Sequence, residues 1–204
     1  MNSSSGIGIT PLPFTRGDAI VFWITFYLWL IPELIGGIKQ RSRASTTRRD
    51  RGSQAVLIIS LWVGVFFAIS CAWALPAATI TPFRLPVFAI GILLMLTGVA
   101  LRWYAIRTLG LSFTRDLAVR AGQRVVDTGV YRTIRHPAYS GTLLTCLGIG
   151  LAMTNGASLI AIMACAVAGH LYRVHLEEGL LCEQLGEPYR EYMRRTHRFN
   201  PFVW

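Results

Sequence analysis

The sequence predicts an all-α, polytopic integral membrane protein. Five transmembrane helices are expected, with a tight helix 4–5 hairpin and a cytoplasmic amphipathic C-terminal helix. Three observations carry this expectation. The 204 residues are 53% hydrophobic and only 15% charged, whereas a soluble domain carries about 25% charged residues. Mean hydropathy is +0.47. Lys and Arg number 20 against 10 Asp and Glu, an excess that membrane proteins gather on one face of the bilayer. The apolar content excludes a disordered chain, and the long uncharged stretches argue against a nucleic-acid binder.

The first candidate span, Ala19–Ile38, has 20 residues and one charge, Glu33. Before it, Met1–Asp18 has no basic cluster; after it comes an Arg-rich loop rather than a small-residue cleavage site. The span is therefore read as a retained helix and not as a signal peptide. Ala55–Leu75 follows with 21 uncharged residues. Leu85–Leu101, Ala138–Thr154 and Gly156–Tyr172 each run 17 residues without a charge. Roughly 17–25 helical residues cross a hydrocarbon core of about 30 Å, so these last three need a further turn at one end.

Orientation follows from the basic residues. The loop Lys39–Gln54, the segment Arg102–Arg135 and the tail from Arg173 hold 18 of the 20, leaving Arg16 and Arg84 opposite. That places the N-terminus outside and the C-terminus in the cytoplasm. Nineteen of the 20 are Arg, a bias that points to a GC-rich genome and a bacterial inner membrane. Cys71, Cys146, Cys165 and Cys182 are scattered along apolar helices, and read as small core residues rather than as disulfides or a metal site.

Thr154, Asn155, Gly156 and Ser158 supply the turn between the last two spans. Small residues recur every four positions at Gly141, Thr145, Gly148 and Ala152, and again at Ala157, Ala161, Cys165 and Gly169. Such stripes let helix backbones approach closely in lipid. Beyond the fifth span, Glu177–Arg198 sets Leu181, Leu185, Tyr189 and Tyr192 against a charged face, the pattern of a helix lying at the membrane surface. Pro188, after Gly186, should break or kink it.

Two stretches are too polar for their positions. The run Gln123–Gly141 leads into the fourth span, with Pro137 suited to a first helical turn. A helix N-terminus there favours an anionic group, and His136 and Tyr139, three apart, share a face. The run His170–Glu178 ends the fifth span with Arg173 and Glu177 four apart, and charges so close to lipid are paired or functional. A polar turn at the membrane surface and a simple ion pair explain these runs as well as a site does. His170 and His175 lie about 140° apart around a helix, which argues against a two-His metal site. No metalloprotease run, nucleophile elbow or Gly-rich phosphate loop is present.

Four blocks occur in order: Gly129-Val-Tyr-Arg-x-x-Arg-His-Pro-x-Tyr-Ser-Gly141, Arg173-x-x-x-Glu177-Glu178, Leu185-Gly-Glu-x-Tyr-x-x-Tyr192 and Arg198-Phe-Asn-Pro201. Together they resemble the isoprenylcysteine carboxyl methyltransferase family over about Leu109–Trp204, and are similar to the related phospholipid N-methyltransferases. The resemblance implies one membrane domain over 1–204, with the first three spans in 1–106 and a cofactor-binding catalytic half in 107–204. It implies S-adenosyl-L-methionine as cofactor, bound by Gln123, Arg124, Val125, Val126, Tyr131, His136, Pro137, Ala138, Tyr139 and Glu177. Arg173 would face the acceptor, and Arg135, Arg173 and Glu177 would form the catalytic set.

The implied partners are membrane lipid and a lipophilic small molecule or prenylated substrate arriving from the bilayer; no nucleic acid and no metal are expected. An α-carboxylate has a pKa of about 3.5 and is already ionised near neutrality, so its methylation needs no general base. An amine acceptor would need one, and Glu178 or His175 would be the candidates. A thiol acceptor, a sterol-reductase-like NADPH enzyme and a non-enzymatic membrane scaffold are the remaining alternatives.

Overall fold

The structure is a computed structural model that describes residues 10–41, 52–81, 83–110 and 125–199. Six α-helices account for most of these: α1 (Arg16–Arg41), α2 (Ser53–Ala74), α3 (Arg84–Leu109), α4 (Pro137–Ala152), α5 (Gly156–Leu185) and α6 (Glu187–Arg195). The five expected spans correspond to α1–α5. Four of them, α1, α2, α3 and α5, are long and apolar enough to cross a membrane, while α4 is a shorter apolar helix. The expectation of five full-length spans is corrected to that extent. At 16 residues and about 1.5 Å per residue, α4 falls short of a 30 Å core by roughly 6 Å. Pro137 starts it late, and the turn at Met153 and Thr154 stops it early.

Two helices outrun their hydropathy. α3 continues past Leu101 to Leu109, carrying Arg102 inside the helix, and Gly110 ends it at φ 53°. α5 continues past Tyr172 to Leu185, so the polar run His170–Glu178 is helical throughout. Gly186, at φ 65°, supplies the break, and Pro188 sits in the first turn of α6, where its missing N–H costs nothing. The expected surface helix is thus the end of α5 followed by α6. Tyr189 and Tyr192 are its buried side, while Glu187, Arg190, Glu191, Arg194 and Arg195 are exposed.

The small-residue stripes are used, but the closest approaches are made to α3 and α2. Gly91 and Gly98 of α3 lie against the stripe of α4. A Cβ at Gly98 would stand 2.5 Å from the Gly141 carbonyl oxygen, and one at Gly91 would stand 2.6 Å from the Ala152 nitrogen. The stripe of α5 lies against α2 instead: a Cβ at Gly64 would be 3.1 Å from the Cys165 Cβ, and one at Gly169 would overlap the Ser60 hydroxyl. Both pairs run antiparallel.

The end of the bundle opposite the polar runs is tied by the α4–α5 turn. Asn155 caps α5 by accepting from the Ser158 N–H at 3.0 Å, and its amide donates to the Leu75 carbonyl at 2.9 Å. Ser158 donates to the Ala68 carbonyl at 2.6 Å. Thr154 adopts φ 51°, unusual for a β-branched residue. Its carbonyl accepts from the Ile80 N–H at 2.9 Å, and its hydroxyl accepts from Arg84 at 3.3 Å. The outer faces of the helices carry exposed Ile20, Ile24, Phe66, Leu93 and Ile160, as surfaces facing lipid do.

Gly98→Ala should therefore cost about 1–3 kcal/mol, since the added methyl meets backbone rather than a flexible side chain. Gly179→Ala, with nothing within 4 Å of the new Cβ, should be neutral or slightly stabilising. Thermal unfolding of the two variants in detergent micelles checks the contrast.

Candidate active site

The polar end of the bundle is built where the start of α4 meets the second half of α5. Thr128 precedes a 3-10 turn, Gly129–Arg132, and His136 precedes α4 as its N-cap residue. The His136 carbonyl accepts from the Tyr139 and Ser140 N–H groups, both at 3.0 Å. This short turn places Tyr131, Arg135, His136 and Tyr139 against one side of α5. Tyr131 is buried beside Ala105 of α3 and Ala138 of α4, and its carbonyl accepts from the Tyr192 hydroxyl at 2.7 Å.

Arg173 and Glu177, one turn apart on α5, are joined by Tyr139. The Tyr139 hydroxyl donates to Glu177 Oε2 at 2.8 Å and accepts from Arg173 Nε at 3.3 Å. Arg173 is only 2% exposed, and its second arm donates to the Ser53 hydroxyl at the start of α2, at 2.5 Å. The Tyr139 ring stacks on the His136 ring, with centroids 5.6 Å apart and planes 19° apart, and meets the His170 ring edge-on at 5.4 Å. His170 is fully buried, with Nδ1 2.7 Å from the Ala166 carbonyl.

A second group surrounds Glu178, whose side chain is 5% exposed. Arg135 Nε donates to Glu178 Oε1 at 3.0 Å, and His136 Nε2 lies 3.2 Å from the same oxygen. Arg198 reaches the other oxygen, at 3.0 Å from Nε and 2.7 Å from its terminal nitrogen. The rest of the Arg135 guanidinium donates to the carbonyls of Met193 and Thr196. Arg135 thus binds the C-terminal segment, whereas Arg173 and Glu177 meet at Tyr139. The contacts of Arg135 here are with Glu178, Met193 and Thr196. Of the two candidate bases for an amine acceptor, Glu178 lies between two guanidinium groups and the His136 ring, and His175 is exposed on α5.

A third group lies deeper. Arg102 of α3 makes a two-pronged ion pair with Glu33 of α1, at 2.9 and 2.6 Å, and donates to the Ala138 carbonyl at 3.0 Å. Glu33 was visible in the sequence as the lone charge of its span, but nothing local named Arg102 as its partner. Ser53, Thr196 and Arg198 are the other residues the sequence did not single out for the site. Arg198 at least stood inside a motif, while Ser53 carried no signal.

The phenols around the site are held in their neutral form. Burial raises the pKa of Tyr131, and the nearby Glu177 carboxylate adds to the rise. Burial likewise raises Tyr189, and pushes Tyr192 up to about 12. Of the residues expected at the cofactor, His136, Pro137 and Ala138 are buried, Tyr139 and Glu177 are half-buried beside them, and Val125 and Val126 are half-buried at the start of this segment. Gln123 and Arg124 lie outside the described residues.

Residues 90–183 match the model of the isoprenylcysteine carboxyl methyltransferase (ICMT) family. This stretch runs from α3 through Arg173, Glu177 and Glu178. The match covers just under half of the chain and takes in the polar end of the bundle. Protein-S-isoprenylcysteine O-methyltransferase B of Arabidopsis thaliana is 35% identical over 115 residues, 55% of this chain and 58% of its own. Protein-S-isoprenylcysteine O-methyltransferase of Saccharomyces cerevisiae is 30% identical over 116 residues, 56% of this chain and 48% of its own. The fold matches that of the eukaryotic intramembrane Ras methyltransferase ICMT, with a TM-score of 0.58 and 21% identity over 91% of this chain and 65% of that one. The chain spans about three fifths or less of the length of these curated relatives. It is an all-α integral membrane protein.

The Arg102–Glu33 pair yields a test. Arg102→Met alone should destabilise by about 3–5 kcal/mol, because Glu33 keeps its charge in low-dielectric surroundings without its partner. Adding Glu33→Leu should recover most of that loss, since removing both charges also removes their desolvation cost. A double-mutant cycle by denaturation in micelles reads the coupling.

Proposed function

We propose that the protein is an S-adenosylmethionine-dependent methyltransferase that methylates a lipophilic carboxylate, isoprenylcysteine-type or another lipophilic acid. The observation that carries this reading is the Tyr139 hydroxyl held between Arg173 and Glu177. It lies in a segment of a family whose named members are O-methyltransferases.

S-adenosylmethionine, when bound, supplies a methyl group on a positively charged sulfur. The residues present suit such a group. Glu177 offers a carboxylate, and the stacked His136 and Tyr139 rings offer aromatic faces, which attract cations. Tyr131, Pro137, Ala138, Val125 and Val126 would complete the holding set, with Gln123 and Arg124 from the preceding segment.

Arg173 would hold one oxygen of the acceptor carboxylate through charge-assisted hydrogen bonds. Tyr139 would keep Arg173 and Glu177 on adjacent sides of one site. No residue need take a proton, because the acceptor is already ionised. Tyr131, with its pKa raised, stays protonated near neutral pH and acts as a donor rather than a base. The chain's contribution is then alignment and the exclusion of water from a weak nucleophile. Arg135 supports the site from behind through Glu178 and Thr196. The acceptor would come sideways from the bilayer, and the cofactor from the cytoplasmic face, with the N-terminus outside a bacterial inner membrane. The relatives named above carry an O-methyltransferase name, which favours a carboxylate over the amine, thiol, NADPH and scaffold alternatives.

Isothermal titration of the purified protein in micelles with S-adenosylhomocysteine tests this reading. Wild type should bind. Glu177→Ala should weaken binding roughly tenfold or more, the loss of a charge-assisted hydrogen bond. Arg173→Ala should still bind, yet form no methyl ester on a prenylated cysteine derivative with a free carboxyl group. Absence of binding by wild type sinks the proposal.

A further inference from the structure

We infer that Glu178 is a positioning residue that holds His136 at the cofactor side of the site by clamping the C-terminal segment onto the first turn of α4. The inference rests on the cofactor reading above. Glu177 and Glu178 are neighbours in sequence and about 100° apart around α5, so they serve different partners. Glu177 turns to the Tyr139 hydroxyl. Glu178 turns to Arg135, His136 and Arg198.

A carboxylate can only accept, so the His136 Nε2 carries the hydrogen, and the orientation of the ring is set from Glu178. That ring stacks on Tyr139, whose hydroxyl meets Arg173 and Glu177. A continuous chain of contacts therefore runs from Arg198, through Glu178, His136 and Tyr139, to Arg173 and Glu177. The backbone repeats the connection. The Arg135 N–H donates to the His197 carbonyl at 2.7 Å, and the His136 N–H donates to the Arg198 carbonyl at 3.0 Å. The Ser140 hydroxyl donates to the Phe199 carbonyl at 2.6 Å. Residues 197–199 thus supply acceptors for the Arg135 and His136 N–H groups just ahead of α4 and for the Ser140 hydroxyl in its first turn.

Charge makes the clamp depend on Glu178. Arg135 is a buried guanidinium, its side chain 9% exposed, and Arg198 brings a second one to the same place. Without the carboxylate between them the two would repel. Arg198 itself is 43% exposed, so its removal should loosen the clamp with little effect on the bundle.

The test uses the whole protein in micelles, with Arg198→Ala, Arg198→Lys, Glu178→Gln, the Glu178→Gln/Arg198→Ala pair, and Arg195→Ala as a control in the exposed Arg195–Asp127 pair. Two quantities are read: affinity for S-adenosylhomocysteine, and hydrogen exchange at the Arg135 and His136 amides. Arg198→Ala and Glu178→Gln should each weaken binding roughly tenfold and speed exchange at both amides, from the loss of a charge-assisted contact. The pair should lose little more than the worse single variant, because both act through one clamp. Arg198→Lys should recover most of the affinity, and Arg195→Ala should change neither reading. Tm should move by less than about 4 °C in Arg198→Ala. Faster exchange with unchanged affinity overturns the inference, as does additivity in the paired variant. Wild-type protein that fails to bind S-adenosylhomocysteine overturns the proposed function instead. The exchange reading then still decides the clamp, and unchanged protection in Arg198→Ala overturns it.

Discussion

The carboxylate of Glu178 receives two guanidinium groups and an imidazole within 3.2 Å, and the polar end of the molecule is arranged around it. Bringing charges to the edge of a hydrocarbon layer costs several kcal/mol per ion unless partners replace the lost water. The buried charged groups Arg102, Arg135, Arg173 and Glu178 each have such a partner on another element. Glu178 of α5 joins Arg135 ahead of α4 to Arg198 beyond α6. Glu33 of α1 joins Arg102 of α3. The partners are distant in sequence, so meeting the electrostatic requirement also assembles the site. Arg102 shows the economy of this most directly, since one guanidinium ties α1, α3 and the first turn of α4.

The apolar part of the bundle solves a different problem. In lipid, side-chain hydrophobicity does not drive one helix toward another, so close packing and a few hydrogen bonds must. Glycines make that possible where α3 meets α4, where α2 meets α5, and at Gly150 where α4 meets α5. The turn between α4 and α5 then joins the two pairs, with Asn155 and Ser158 anchored on α2 and Thr154 on Arg84. The other end carries irregular backbone at 125–136 and 196–199, whose peptide groups need partners. Residues 197–199 answer this need by bonding to the turn ahead of α4.

The carboxylate methylation proposed above asks for few reactive groups, and the side chains of this region fit that demand. Its side chains are donors, ring faces and paired charges, and its phenols are held protonated by burial. No proton relay is required of them. What they can do is fix positions, which is where the contacts of Tyr139 and His136 are concentrated.

Much of this was legible in the chain as written. Every apolar stretch became a helix within a few residues of where hydropathy placed its start, because burial in lipid is decided locally, residue by residue. Gly186 and Pro188 marked the break before α6, and Asn155 marked the hairpin, since each acts on its own backbone. The motifs likewise brought Arg135, His136, Tyr139, Arg173 and Glu177 under suspicion together. The continuation of α3 and α5 into charged sequence was not legible, because those turns are paid for by partners elsewhere, such as Glu33 for Arg102. Nor was the choice of packing partner: the stripes at Gly141–Ala152 and Ala157–Gly169 fit each other on paper, yet their closest approaches are made to Gly91 and Gly98, and to Ser60 and Gly64. The separation of two adjacent carboxylates into different roles also waited for the fold. Helical geometry turns Glu177 and Glu178 apart, but only the tertiary structure sets Tyr139 before one and Arg135, His136 and Arg198 before the other. Local hydropathy and turn chemistry determined where the helices lie; contacts between residues far apart in the chain decided what each buried charge meets.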